Sequence, residues 1–157
     1  VENKEYWRQE PQKGKTQLEY NRRYYQEILD VVKAYKDYSI LGHLDVIKRY
    51  DLNGEIELEK IKDLIEQIFE VVIADGKGIE LNTSSHAYHL KSLMPSREIL
   101  ELYHDMGGKI ITIGSDAHNA DRVGDRVMES QKILKEIGFN GIYTFDQMKP
   151  KFHEFKF

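Results

Sequence analysis

Residues 111–124 read ITIGSDAHNADRVG. A short apolar run climbs to Gly114, releases Ser115, Asp116 and His118 in quick succession, and then turns polar. An apolar run of this length, bounded by turn residues, reads as a buried strand. Alternate side chains of an extended segment share a face, so Asp116 and His118 present a carboxylate and an imidazole to one place.

The same pattern occurs twice upstream. SILGHLDV (39–46) ends on His43 and Asp45, and IELNTS (79–84) ends on Asn82, Thr83 and Ser84. Helical segments separate these runs. Thr16 and Glu19 form a T-x-x-E capping box, and Tyr24, Ile28, Val31, Val32 and Tyr35 follow at helical spacing, predicting a helix over 16–36. A second helix is predicted over 57–74, with Leu58, Ile61, Leu64, Ile65, Ile68 and Val72 in one stripe. Pro95 and Ser96 open a third, which runs through Ile99, Leu100, Leu102, Tyr103 and Met106 to the stop at Gly107 and Gly108. A fourth covers 121–137, with Val123, Val127, Leu134 and Ile137 on one face. GIYTF (141–145) reads as a fourth strand, and the tail beyond it is ambiguous. The order α-β-α-β-α-β-α-β predicts an α/β fold with a parallel sheet and helical crossovers. That sheet is either small and open or part of a closed barrel. In both architectures the sites lie at the C-terminal ends of the strands.

Composition narrows the chemistry. The 157 residues suit one domain or part of a larger one. Lys and Arg total 23 against 27 Asp and Glu, a net charge of -4, which leaves no electrostatic footprint for nucleic acid. There is no cysteine, which excludes disulfides and thiolate metal sites and fits a cytoplasmic protein. No apolar run approaches the ~20 residues that cross a bilayer, so no membrane partner is expected. Residues 1–15, with Pro11 and Gly14, read as a connecting segment. The chain opens on Val1 rather than Met, as a chain that starts mid-protein would.

Three strand ends that release His43, Asp116 and His118 would converge on one rim. Oxygen and nitrogen ligands suit Zn, Mn or Fe, and such ions lower the pKa of bound water and clamp a phosphate. Arg49 and Arg122 closely follow the His43 and His118 segments and are candidates to bind phosphate. Simpler readings stand beside these. His43 can be a hydrogen-bonded structural residue, Asp116 a helix cap, and Arg122 part of an exposed first turn. His86 and His89 fall in a loop where they could contact substrate or simply face solvent. His104, His153 and the tyrosines at 20, 24 and 25 are read as structural.

LGHLDVIKRY, IELNTS, PSREILELYHDMGGKIITIGSDAH and the later GF with IYTF resemble, in that order, the C-terminal half of the PHP-family histidinol-phosphatases. The resemblance implies the C-terminal part of a distorted (β/α)7 TIM-like barrel with a metal cluster at its strand ends. It implies hydrolysis of L-histidinol phosphate to L-histidinol and phosphate, in histidine biosynthesis. On the family pattern His43, Asp116 and His118 are metal ligands, Asp116 and His118 on different ions of the cluster; Asp116 and His118 serve catalysis, and zinc is the favoured ion. Arg49, Arg122 and His89 are the candidates to contact a small phosphate monoester. The family's opening H-x-H motif does not occur in this chain. Residues 1–157 are therefore expected to be the C-terminal portion of a single PHP domain. Its partner would be the missing N-terminal half, and its open sheet edges invite self-association. Two other functions fit the residues. One is a PHP phosphoesterase acting on nucleotides. The other is a non-catalytic portion that binds a small anion or a partner chain.

Overall fold

The computed structural model describes residues 12–157. Most of the expected connecting segment, residues 1–11, lies outside them. Helix α1 spans Gln17–Ala34, α2 Lys62–Ala74, α3 Arg97–Asp105 and α4 Val127–Ile137. Strand β1 is Ile40–Leu41, β2 Gly78–Asn82, β3 Ile111–Gly114, β4 Gly141–Asp146 and β5 Lys149–Glu154.

Strands β1, β2 and β3 form a parallel sheet in that order, with Leu41 level with Ile79 and Asn82 level with Gly114. The helices pack in chain order, α1 on α2, α2 on α3 and α3 on α4. The core lies between them and one face of the sheet. Ile79, Leu81 and Ile111 supply the sheet side, and Leu29, Ile65, Ile68, Phe69, Leu100, Tyr103 and Leu134 the helical side. Strand periodicity then puts Glu80 and Asn82 on the opposite face.

Thr16 caps α1 as its sequence predicts. Its hydroxyl accepts from the Glu19 N–H at 3.3 Å, and the Glu19 carboxylate accepts from the Thr16 N–H at 2.7 Å. The buried stripe of α1 is Tyr20, Tyr24, Tyr25, Ile28, Leu29 and Val32. Val31 and Tyr35, expected on that stripe, are exposed. At 3.6 residues per turn the stripe passes through Ile28 and Val32, which turns Val31 to the far side.

Two further expectations are corrected. The fourth strand does not join the parallel sheet. It turns back through Gln147 and Met148 and pairs antiparallel with β5, made from the tail whose sequence was ambiguous. The predicted helix over 121–137 also starts late. Ala120–Arg122 form a single 3-10 turn, Gly124 and Arg126 adopt left-handed φ values of 75° and 55°, and the α-helix begins at Val127. Val123, expected on the buried face, is left exposed.

Candidate active site

The three parallel strands end at one rim. His43 follows β1, Thr83 and Ser84 follow β2, and Ser115, Asp116 and His118 follow β3. Two of these residues, His43 and Asp116, have positive φ, at 32° and 49°. The left-handed region is costly for residues with a Cβ, about 1–3 kcal/mol each, and such outliers cluster at functional sites.

Asp116 and His118 meet. The His118 Nε2 lies 3.6 Å from the Asp116 Oδ1, and the imidazole is 78% exposed. Two donors on one tetrahedral zinc, each bonded at ~2.0–2.1 Å, sit ~3.3 Å apart. The separation of the pair is near that of two ligands of a single ion and is also that of an ordinary ion pair. Among the described residues no three His, Asp or Glu side chains are grouped closely enough to hold an ion together. A carboxylate and an imidazole are donors that suit a divalent metal, and the described residues group no third such ligand with them.

Arg49 lies against this pair. It leaves the 3-10 turn Val46–Arg49, and its guanidinium is 6% exposed. It donates to the Ser84 Oγ at 2.8 Å, sits 3.6 Å over the Tyr88 ring, and approaches the Asp116 Oδ2 at 4.0 Å. Ser84 is held in turn, since its N–H and hydroxyl both donate to the Asn82 Oδ1. The fork of Arg49 is therefore preset beside the carboxylate, with little freedom left to lose on binding an anion.

The remaining candidates are placed differently. Arg122 lies in the 3-10 turn beyond His118 and is paired with Asp125 at 3.1 Å. His89 is exposed, with φ of 53° and its N–H on the His86 carbonyl. Asp45, the other polar residue at the end of the first apolar run, turns inward. Its carboxylate is 3% exposed, pairs with Lys48 at 2.7 Å, and accepts from the Ser96 N–H at 3.0 Å, tying the β1 loop to the start of α3. Burial raises the Asp45 carboxyl above its usual range, against the opposing pull of Lys48.

Glu80 was missed by sequence reading. Its Oε2 accepts from the His43 N–H at 3.0 Å and from the Asn82 side-chain amide at 3.2 Å. A signal was present, because an acid between Ile79 and Leu81 is out of place in a buried strand unless something binds it.

With this geometry in hand, the relatives can be read. The PHP domain family model matches residues 2–84. The chain belongs to the PHP-domain family. A Thermotoga maritima protein named "Probable histidinol-phosphatase" is 35% identical over 118 residues, which are 75% of this chain and 48% of that protein. The histidinol-phosphatase of Lactococcus lactis is 29% identical over 137 residues, 86% of this chain and 51% of its own length. The solved structure of the Lactococcus lactis histidinol phosphate phosphatase, in complex with zinc, L-histidinol and phosphate, superposes with a TM-score of 0.74 at 27% identity. That match covers 88% of this chain and 53% of the other. A Listeria monocytogenes structure at 16% identity, with a TM-score of 0.62 over 71% of this chain and 44% of that one, shares the α/β fold. This PHP-domain chain spans about half the length of the relatives it matches. No helix among its described residues is long and apolar enough to cross a membrane.

Proposed function

We propose that this chain is a portion of a metal-dependent phosphomonoesterase that hydrolyses L-histidinol phosphate to L-histidinol and phosphate. The observation that carries the reading is the Asp116–His118 pair, 3.6 Å apart, with the preset Arg49 guanidinium beside it. The relatives named histidinol-phosphatase, and the zinc, histidinol and phosphate held by the Lactococcus lactis structure, supply the substrate. The sequence of three parallel β/α units, together with that likeness, supports placing the chain in the C-terminal part of a TIM-like barrel. The remaining ligands and the rest of the barrel would then come from the other half of the domain.

Asp116 and His118 would hold a divalent ion, zinc in the first instance, with His43 contributing from the end of β1, on the far side of β2. Such an ion supplies a water of lowered pKa and positive charge for the phosphoryl oxygens. Arg49 would bind the phosphate through its planar fork and stabilise the charge that builds on it in the transition state. Arg122, once released from Asp125, and His89, on the exposed loop, are the further substrate contacts.

The test is phosphate release by the natural protein carrying this chain, loaded with zinc, from histidinol phosphate and from nucleoside monophosphates. Histidinol phosphate should turn over, and His43→Ala and Asp116→Ala should each lower kcat at least 100-fold. Absence of turnover, or His43→Ala at wild-type rate, overturns the assignment. Preference for a nucleotide moves the substrate and keeps the chemistry.

A further inference from the structure

Strand β2 sends no candidate metal ligand to the rim, yet it carries the one acid on the open face of the sheet. The Glu80 side chain leans along β2 toward the rim and lies between the backbones of its two neighbours. A Cβ on Gly114 would fall 2.1 Å from the Glu80 Oε1, and a Cβ on Gly42 would fall 3.4 Å from its Oε2. Glycine on both flanking strands therefore opens the notch in which the carboxylate sits. Adding any side chain at Gly114 must push the carboxylate out.

Within that notch the carboxylate is committed to the chain. It takes the N–H of His43, the residue held at a φ of 32°, and the side-chain amide of Asn82. The other end of the Asn82 amide fixes Ser84, and Ser84 fixes Arg49. A charge-assisted bond to a backbone N–H is among the stronger hydrogen bonds available, and here it acts on a residue whose φ is positive. Among the described residues Glu80 belongs to no group of three side chains that could share an ion.

We propose that Glu80 is a positioning residue for His43: its carboxylate, seated in the Gly42–Gly114 notch, holds the strained turn that aims His43 at the metal. This rests on the reading of His43 as a ligand. Through Asn82 and Ser84 the same side chain aligns Arg49, so β2 sets the geometry of a site whose chemistry comes from β1 and β3. Outer-shell partners of metal ligands typically change affinity 10- to 100-fold when removed.

Glutamine separates positioning from ligation, because its carbonyl accepts the same N–H without offering a charged ligand. The experiment measures two quantities on the natural protein carrying this chain: hydrogen exchange of the His43 amide without metal, and zinc affinity by calorimetric titration. Glu80→Ala should speed His43 exchange about 10-fold or more and weaken zinc binding by about 10-fold. Gly114→Ala should reproduce both effects with Glu80 still in the sequence, which guards against a mere folding defect at residue 80. Glu80→Gln should stay within about twofold of wild type in both. Unchanged His43 exchange in Glu80→Ala and Gly114→Ala overturns the proposal. So does a Glu80→Gln chain that loses zinc as Glu80→Ala does, which would make the carboxylate itself a ligand. Equal zinc affinity in wild type and His43→Ala defeats the ligand reading and the positioning role with it. That failure is recognisable because His43 exchange would still respond to Glu80.

Discussion

Arg49 and Arg122 look alike in the sequence, each a few residues past a histidine at a strand end. Their surroundings separate them. Arg49 is enclosed, stacked on Tyr88 and bonded to Ser84, whereas Arg122 is paired with Asp125 on a surface turn. Arg49→Lys should therefore raise KM for the phosphate monoester about 10- to 100-fold. A lysine keeps the charge but loses the fork and the stack, and a hydrogen bond to a charged group contributes about 1.5–3 kcal/mol. Arg122→Lys should change KM by less than about threefold. Steady-state kinetics of the two variants checks the contrast, and equal effects would refute it. The placement of His43, Asp116 and His118 at the ends of β1 and β3 was legible, because apolar runs that stop on polar groups read as strand ends. Glu80 was not, because its partner is a backbone N–H 37 residues away, which no local spacing announces. The inward turn of Asp45 is likewise not announced by local spacing. Its neighbour at i+3, Lys48, is buried with it, and burial is decided by the packing of α3 against the loop.

At the scale of elements, local signals succeeded where one residue satisfies another nearby. The Thr16–Glu19 box is such a case, and α1 begins where it predicts. Thr16→Ala should cost about 1 kcal/mol of stability, within the range of 0.5–2 kcal/mol for lost caps, read by urea denaturation. The same box gives a pH dependence. The Thr16 backbone N–H holds the Glu19 carboxyl below its ordinary range, and the Arg22 guanidinium does the same for Asp63 across the α1–α2 contact. Both carboxyls are depressed in the fold, so their contribution is complete above the ordinary carboxylate range. It is lost as pH falls through their lowered values. Melting temperatures should hold from pH 7 to about pH 5 and drop below about pH 4, and the drop attributable to the cap should vanish in Glu19→Gln, which still offers an acceptor to the Thr16 N–H but does not titrate. Nonlocal pairing was where sequence failed. Nothing in GIYTF distinguishes a strand that joins a parallel sheet from one that pairs with the following tail. The choice is made by the turn at Gln147 and Met148, both left-handed at φ of 48° and 63°, which brings Tyr143 opposite Phe152.

For the whole molecule, stability and the rim share one support. Phe69 of α2 and Tyr103 of α3 meet edge to face with centroids 5.0 Å apart, and Tyr103 stacks on Phe139, ahead of β4, at 6.4 Å. This run of rings joins two helices to the hairpin, and it lies in the same buried cluster as Ile79 and Leu81, whose strand carries Glu80 and Asn82 on its other face. Phe69 is fully buried, so Phe69→Ala removes the ring contacts and leaves a cavity that close-packed neighbours fill poorly. The expected cost is about 3–5 kcal/mol, a large share of the ~5–15 kcal/mol typical of a domain. Because one core supports both the helices and β2, unfolding should remain a single transition. Far-UV and near-UV circular dichroism should give coincident midpoints in wild type and variant, shifted together to lower denaturant. A loss below about 1 kcal/mol would show that the rings do not anchor the fold. Separated midpoints in the variant would show that the helices and the sheet carrying the rim are stabilised independently.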